Sequence, residues 1–189
     1  MKVLLVSEGK HEECGALETF VRRIAKEFES YTWDKVSRND IHTHRGKGQG
    51  FFKRAVRWIL EAKKRDYDAL VLVIDEDGNP ERISELDQAQ REEAATAGFS
   101  RCLGIAIRSF DAWMLADEKA IAAVLGHVVP AQGAPEENRH PKEDCAKLLG
   151  GRFSQADFYA RIAASVNVQL LESRCPKGFG MFAERLRKL

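Results

Sequence analysis

The chain lacks the features that mark membrane, secreted and zinc-binding proteins. Its four cysteines are dispersed and form no C-x-x-C pair, which argues against a zinc site and favours a reduced setting. No run approaches the roughly 18 apolar residues that a membrane helix requires. Only four apolar residues separate Lys2 from Ser7, too few for a signal peptide. We therefore expect a cytoplasmic protein that does not associate with membranes.

An excess of charge of one sign is also missing. The chain has 30 Lys and Arg against 29 Asp and Glu, which gives a formal net charge of +1. This balance excludes a uniformly cationic coat for nucleic acid but leaves room for a local basic face. With 189 residues, of which 44% are hydrophobic, the chain is long enough to bury a sizeable core without disulfides.

Two short apolar runs end abruptly on carboxylates. Residues 3–6 precede Glu8, and residues 69–74 precede Asp75 and Asp77. Runs of this length, rich in Val, Leu and Ile, are typical of strands buried on both faces of a parallel sheet, where ligands bind beyond the carboxyl ends of the strands. If the two strands are neighbours, the three acids converge on one crevice and need a counterion. Their oxygen atoms favour Mg²⁺ or Mn²⁺.

The remaining pattern alternates strands with amphipathic helices. Further strands are predicted at residues 41–43 and 103–107. Helices are predicted at residues 16–28, 51–60, 83–97 and 111–125. This rhythm predicts an α/β fold with a parallel sheet flanked by helices. The strands then stop. We expect residues 1–125 to form the α/β core, and residues 126–189 to form a loop and a helical C-terminal extension packed on it.

The acids lie in a recognisable order. A hydrophobic strand, Glu8-Gly9, a helix, and a later strand ending in Asp75-x-Asp77 together resemble the Toprim domain of type IA topoisomerases, primases and OLD-family nucleases. The resemblance implies a Toprim-like Rossmannoid fold with a four-stranded parallel sheet and Mg²⁺ at the strand ends. It also implies that Glu8 acts as a general acid or base, and that Asp75 and Asp77 bind the metal.

Residues 107–117, which read IRSFDAWMLAD, narrow the resemblance. They are similar to the signature of an uncharacterised family of small stand-alone Toprim-like proteins related to the OLD-family nucleases. That resemblance implies a metal ligand at Asp111, where Glu is more usual and would reach one methylene further. It also suggests that Lys142, which follows His140-Pro141, neutralises charge during phosphoryl transfer. The alternative for Lys142 is an ordinary residue in the first turn of a helix.

The acidic residues also suit hydrolytic chemistry considered on their own. Phosphodiester hydrolysis needs a cation on the phosphoryl oxygens and an activated water, which one or two divalent ions supply. Glu8 and Glu12 share a face if a helix begins near Lys10, so Glu12 is a candidate to support a second ion or its water. The alternative is structural. Asp75 and Asp77 then form a turn, and the two glutamates favour the start of a helix.

A basic segment rich in glycine precedes the second helix. Its candidates for binding a nucleic-acid backbone are Arg45, Lys47, Lys53 and Arg54. The segment lacks the spacing of a P-loop, which excludes a Walker nucleotide site. The alternative is a flexible loop whose glycines merely turn the chain.

Together these patterns predict a Mg²⁺- or Mn²⁺-dependent nuclease that acts on DNA or RNA. Two alternatives stay open. One is a non-catalytic Toprim-like subunit that binds metal or nucleic acid for an ATPase or phage-defence complex, because the Toprim part of OLD proteins works beside an ATPase. The other is a nuclease that matures structured RNA, since small free-standing Toprim proteins of that kind have a similar length.

Overall fold

A parallel β-sheet with helices on both faces forms the centre of the molecule. The computed structural model describes residues 1–9, 14–25, 31–32, 50–94, 96–151 and 153–189. The strands are β1 (Val3–Ser7), β2 (Tyr31–Thr32), β3 (Ala69–Asp75) and β4 (Ser100–Ala106). The helices are α1 (Ala16–Ile24), α2 (Phe51–Lys64), α3 (Glu81–Gln90), α4 (Phe110–Met114), α5 (Glu118–Leu125), α6 (Pro141–Leu149), α7 (Gln155–Ser165), α8 (Val168–Arg174) and α9 (Met181–Leu186). Among the described residues, no helix combines the length and the apolar character needed to cross a membrane.

The order of the sheet is β2-β1-β3-β4, and all neighbouring strands are parallel. β1, β3 and β4 are full strands, and β3 pairs with both of the others along its length. Of β2, the described part of the chain includes two residues, which pair with the start of β1. The predicted strand at residues 41–43 lies outside the described residues. The general prediction of an α/β fold with a parallel sheet is confirmed.

Alternate residues of β1, β3 and β4 enter two hydrophobic cores, one on each face of the sheet. Leu4 and Leu70 pack with residues of α2 and α3 on one face. Val3 and Val71 pack on the other face with α1 and the helices that follow β4. Burial on both faces explains why these strands are almost continuously apolar in sequence.

The C-terminal helices pack on the α1 face of the sheet. α1 contacts α7, and α9 lies against β4. Aromatic rings from α1, from α4 and from the chain after residue 175 contact one another in this core. These rings are Phe20, Phe110, Trp113, Phe179 and Phe182. The helices after residue 125 therefore share one hydrophobic core with the sheet.

Gly104 lets α9 approach β4 closely. A Cβ atom built on Gly104 would lie only 2.6 Å from Cδ2 of Phe182, whose side chain is fully buried. Contacts this short between carbon atoms do not occur without displacement of one partner. The position therefore requires a residue with no side chain.

We expect Gly104→Ala to destabilise the protein by about 1–3 kcal/mol, because the added methyl group must displace the buried Phe182 ring. Denaturant-induced unfolding measures the loss. Gly133→Ala is the matched control, since a Cβ at Gly133 would meet nothing within 4 Å. Equal stability of the two variants would contradict the close approach of α9 to the sheet.

Candidate functional site

The carboxyl ends of β1 and β3 bring the predicted acids together. The two strands are neighbours, with Ser7 opposite Val73, and the N–H of Glu8 donates to the carbonyl of Val73 at 3.2 Å. Oε2 of Glu8 accepts a hydrogen bond from the backbone N–H of Asp75 at 3.1 Å. Asp77 follows in the turn after β3. The two strand ends thus form one acidic crevice.

Arg82, in α3, is the first of two cations that lie among these acids. Its Nη1 lies 3.5 Å from Oε2 of Glu8 and 3.3 Å from Oδ2 of Asp77. The same atom donates to the carbonyl of Asp75 at 2.5 Å. Arg82 was not predicted from the sequence, although a basic residue in the first turn of the helix that follows the acidic turn is a usable signal. Arg82 therefore links all three members of the acidic group.

Lys142, in the first turn of α6, is the second cation. Its Nζ lies 3.4 Å from Oδ2 of Asp75 and 3.2 Å from Oδ1 of Asp77. Burial lowers the pKa of the Lys142 ammonium, but the neighbouring carboxylates, led by Asp75, outweigh this effect and raise that pKa. The ammonium is therefore charged at neutral pH and offsets part of the repulsion between the two aspartates.

Asp75 is the buried member of the acidic group, with only 8% of its surface exposed. Its Oδ1 accepts a hydrogen bond from the N–H of Phe110, the first residue of α4, at 2.8 Å. Burial raises the pKa of Asp75 to about 6, although the Phe110 N–H and the Lys142 ammonium oppose the rise. The carboxylates of Asp77 and Glu8 add to it. Its negative charge is therefore costly unless a cation lies close by.

We expect Asp75→Asn to gain stability relative to the wild type as the pH rises. The pKa of Asp75 goes from 3.8 as its ordinary value to about 6 in the folded protein, so the folded state holds the proton more tightly. This contribution is fully present below about pH 4 and is lost as the pH rises through about 6. The wild type should lose on the order of 2–3 kcal/mol relative to the variant across that range.

Denaturant-induced unfolding of both proteins at a series of pH values measures this difference. A difference that does not change between about pH 4 and 7 would contradict the raised pKa of Asp75.

The carboxylate of Asp111 is held by protein donors, and only 4% of the residue is exposed. Its Oδ2 accepts a hydrogen bond from the hydroxyl of Ser109 at 2.9 Å. Its Oδ1 accepts from Nε2 of Gln155 at 3.1 Å and from the hydroxyl of Tyr159. Burial is the main cause of a raised pKa for the Tyr159 hydroxyl, which therefore stays a donor at neutral pH. Asp111 is therefore placed to fix the start of α4, where the N–H of Phe110 donates to Asp75.

The first turn of α2 lies beside Glu8. The Phe51 ring is contacted by the guanidinium groups of Arg54, at 5.0 Å, and Arg82, at 4.2 Å. Arg54 and Glu8 line one pocket with Phe51. Of the basic candidates, Arg54 is therefore next to the acids, and Lys53 is exposed in the same turn.

Three other candidates predicted from the sequence lie outside the described residues. These are Glu12, Arg45 and Lys47.

Within the described ranges, no group of three or more His, Cys, Asp or Glu side chains is arranged around one metal position. Glu8 is directed at the N–H of Asp75, and Asp111 is held by its own donors. Oδ2 of Asp75 and Oδ1 of Asp77 nevertheless converge on a single ammonium group, that of Lys142. Hard carboxylate oxygens at a shared cation position suit Mg²⁺ or Mn²⁺. The donor chemistry therefore fits a divalent ion that replaces the lysine.

Comparison with known proteins gives one match. Residues 8–187 match the profile of a family described as a domain of unknown function, DUF4276. No curated protein and no solved structure matches the chain significantly. Because the matched segment runs from Glu8 to the end of α9 and so includes both the acidic site and the C-terminal helices, the chain belongs to the DUF4276 family.

Proposed function

We propose that the protein is a nuclease that uses Mg²⁺ or Mn²⁺ to hydrolyse phosphodiester bonds in DNA or RNA. The observation that carries the proposal is the convergence of Asp75 and Asp77 on one cationic group, beside Glu8. Phosphoryl transfer needs concentrated positive charge at the reacting phosphate, and paired carboxylates at a strand edge can hold the ion that supplies it.

The proposal includes a Toprim-like Rossmannoid architecture with the acidic site at its functional edge. In support, β1 and β3 lie side by side, with Glu8 and Asp75 at their carboxyl ends. The pairing of the short β2 with the outer side of β1 supports the proposal of a four-stranded sheet. All four cysteines are free thiols, in keeping with the reducing cytoplasm that we also propose as its location.

The residues of the site have separate roles in this proposal. A divalent ion bound by Asp75 and Asp77 would supply positive charge to the phosphoryl oxygens and lower the pKa of a bound water. Glu8, fixed by the N–H of Asp75, takes up or gives the proton of the reacting water. Lys142 leaves the aspartates and pairs with the phosphoryl oxygens, where it opposes the developing negative charge. Asp111 supports Asp75 through the start of α4 instead of binding the ion directly.

We expect Asp75→Asn to abolish Mn²⁺-dependent cleavage while the protein stays folded, because the amide oxygen can still accept the hydrogen bond from Phe110. Incubation with plasmid, single-stranded DNA and precursor ribosomal RNA, with Mn²⁺ or with EDTA, measures the activity. Asp66→Asn is the matched control, since Asp66 is exposed between α2 and β3, at the opposite edge of the sheet. Undiminished cleavage by Asp75→Asn would refute the proposal, and the choice of substrate separates a DNA nuclease from one that matures structured RNA.

One observation favours a second candidate, a non-catalytic subunit that binds metal or nucleic acid beside an ATPase or in a phage-defence complex. Arg82 and Lys142 place two positive charges among the three acids, so the protein itself supplies most of the counter-charge that this site needs. Calorimetric binding of Mn²⁺ by the wild type without cleavage of any substrate would support this candidate over the nuclease.

A further inference from the structure

A cleft of about 270 Å³ lies beside the acidic site, at the carboxyl edge of β3 and β4. Its walls are the turn after β3, the turn after β4 and the start of α6. The cleft shares Asp77 and Lys142 with the acidic site. It adds two arginines that the roles proposed above do not use, Arg108 and Arg139, and one further acid, Glu143.

The pairing of the two arginines decides the charge of the cleft. Within the described part of the chain, neither the guanidinium of Arg108 nor that of Arg139 has a hydrogen-bond or ion-pair partner. Arg174, in contrast, binds a carboxylate and several carbonyl groups. Asp77 is already paired with Arg82 and Lys142, and Oε1 of Glu143 lies 3.9 Å from Nδ1 of His140. Among the described residues, the cleft therefore presents two guanidinium groups that no carboxylate pairs with.

The backbone of Arg108 is held in a strained conformation. Its φ of 65° lies in the left-handed region, which disfavours residues other than glycine. Two hydrogen bonds hold it there. The Arg108 N–H donates to Oε2 of Glu76 at 3.1 Å, and the Arg108 carbonyl accepts from the N–H of Asp77 at 3.0 Å. Asp77 has a φ of 51°. Such strain is typical of ligand sites, and a glycine would avoid it, so an arginine at this turn points to a use for its side chain.

We propose that Arg108 and Arg139 bind a phosphate group of a nucleic-acid strand, next to the phosphodiester that lies at Asp75 and Asp77. This inference rests on the proposed function. Guanidinium groups present paired N–H donors that match phosphate oxygens. The cleft, of about 270 Å³, has room for one phosphate group with its waters. Its shared wall at Asp77 and Lys142 places the neighbouring phosphate of the strand at the acidic site.

The test measures binding without divalent metal, so that affinity is separated from catalysis. Short labelled single-stranded DNA and RNA oligonucleotides are titrated with protein in EDTA at several salt concentrations. The double variant Arg108→Gln, Arg139→Gln should bind on the order of tenfold more weakly. The slope of log affinity against log salt should also fall by about 0.7, because the contact with one phosphate is lost.

Two further variants make the test specific. Arg91→Gln removes the same charge from an exposed residue at the end of α3, which has crossed back to the opposite edge of the sheet, and should bind like the wild type. Arg139→Gln alone changes an exposed side chain outside the strained turn and should weaken binding about threefold. This single variant keeps the test valid if replacement of Arg108 unfolds the protein.

Affinity and salt slope that are equal in the double variant and in Arg91→Gln would overturn the inference, as would a wild type that binds neither oligonucleotide. Binding that depends on the two arginines, without cleavage when Mn²⁺ is added, would support the phosphate site and refute the nuclease. Cleavage by the wild type, together with binding that does not depend on the two arginines, would support the nuclease and refute the phosphate site.

Discussion

The parallel pairing of β1 with β3 is the constraint on which the site depends. Parallel strands end at the same edge of a sheet, so Glu8 and Asp75 share a hydrogen bond although 67 positions separate them along the chain. Both faces of the sheet are buried, and a slip by one residue would move every strand side chain into the other core. The packing of the two cores therefore fixes the register in which β1 and β3 pair, and this register sets the positions of the acidic residues.

Three acidic residues at one edge of the sheet repel one another. The two cations that offset this repulsion differ in their exposure and in the number of their contacts. Arg82 has 16% of its side chain exposed, binds Glu8, Asp77 and a backbone carbonyl, and stacks on a ring of α2. Lys142 has 56% of its side chain exposed, and among the described residues its partners are carboxylates. The Arg82 guanidinium, fixed by many contacts, is therefore part of the scaffold. The exposed ammonium is the one that we propose a divalent ion replaces.

The parts of this arrangement that leave a local signature could be predicted from the sequence. The strands that end at the acids are buried on both faces, so their consecutive residues are apolar, and such a run can be recognised in the sequence. The donors around Asp111 could not be predicted, because Gln155 and Tyr159 come from α7 and reach it only through tertiary packing. A single helix over residues 111–125 is wrong for a local reason, since Asp117 accepts hydrogen bonds from the backbone and starts α5 afresh.

In the proposed nuclease, the wall shared by the acidic site and the cleft would couple the binding of two kinds of ligand. Lys142 offsets the aspartates as long as no other cation does so, and it lines the cleft at the same time. A divalent ion bound by Asp75 and Asp77 in place of Lys142 would release an ammonium beside Arg108 and Arg139, which would increase the positive charge available to a phosphate. Coupling between binding sites is reciprocal, so a phosphate in the cleft would in turn favour the ion. In the proposed nuclease, substrate and metal would therefore each bind more tightly when the other is present.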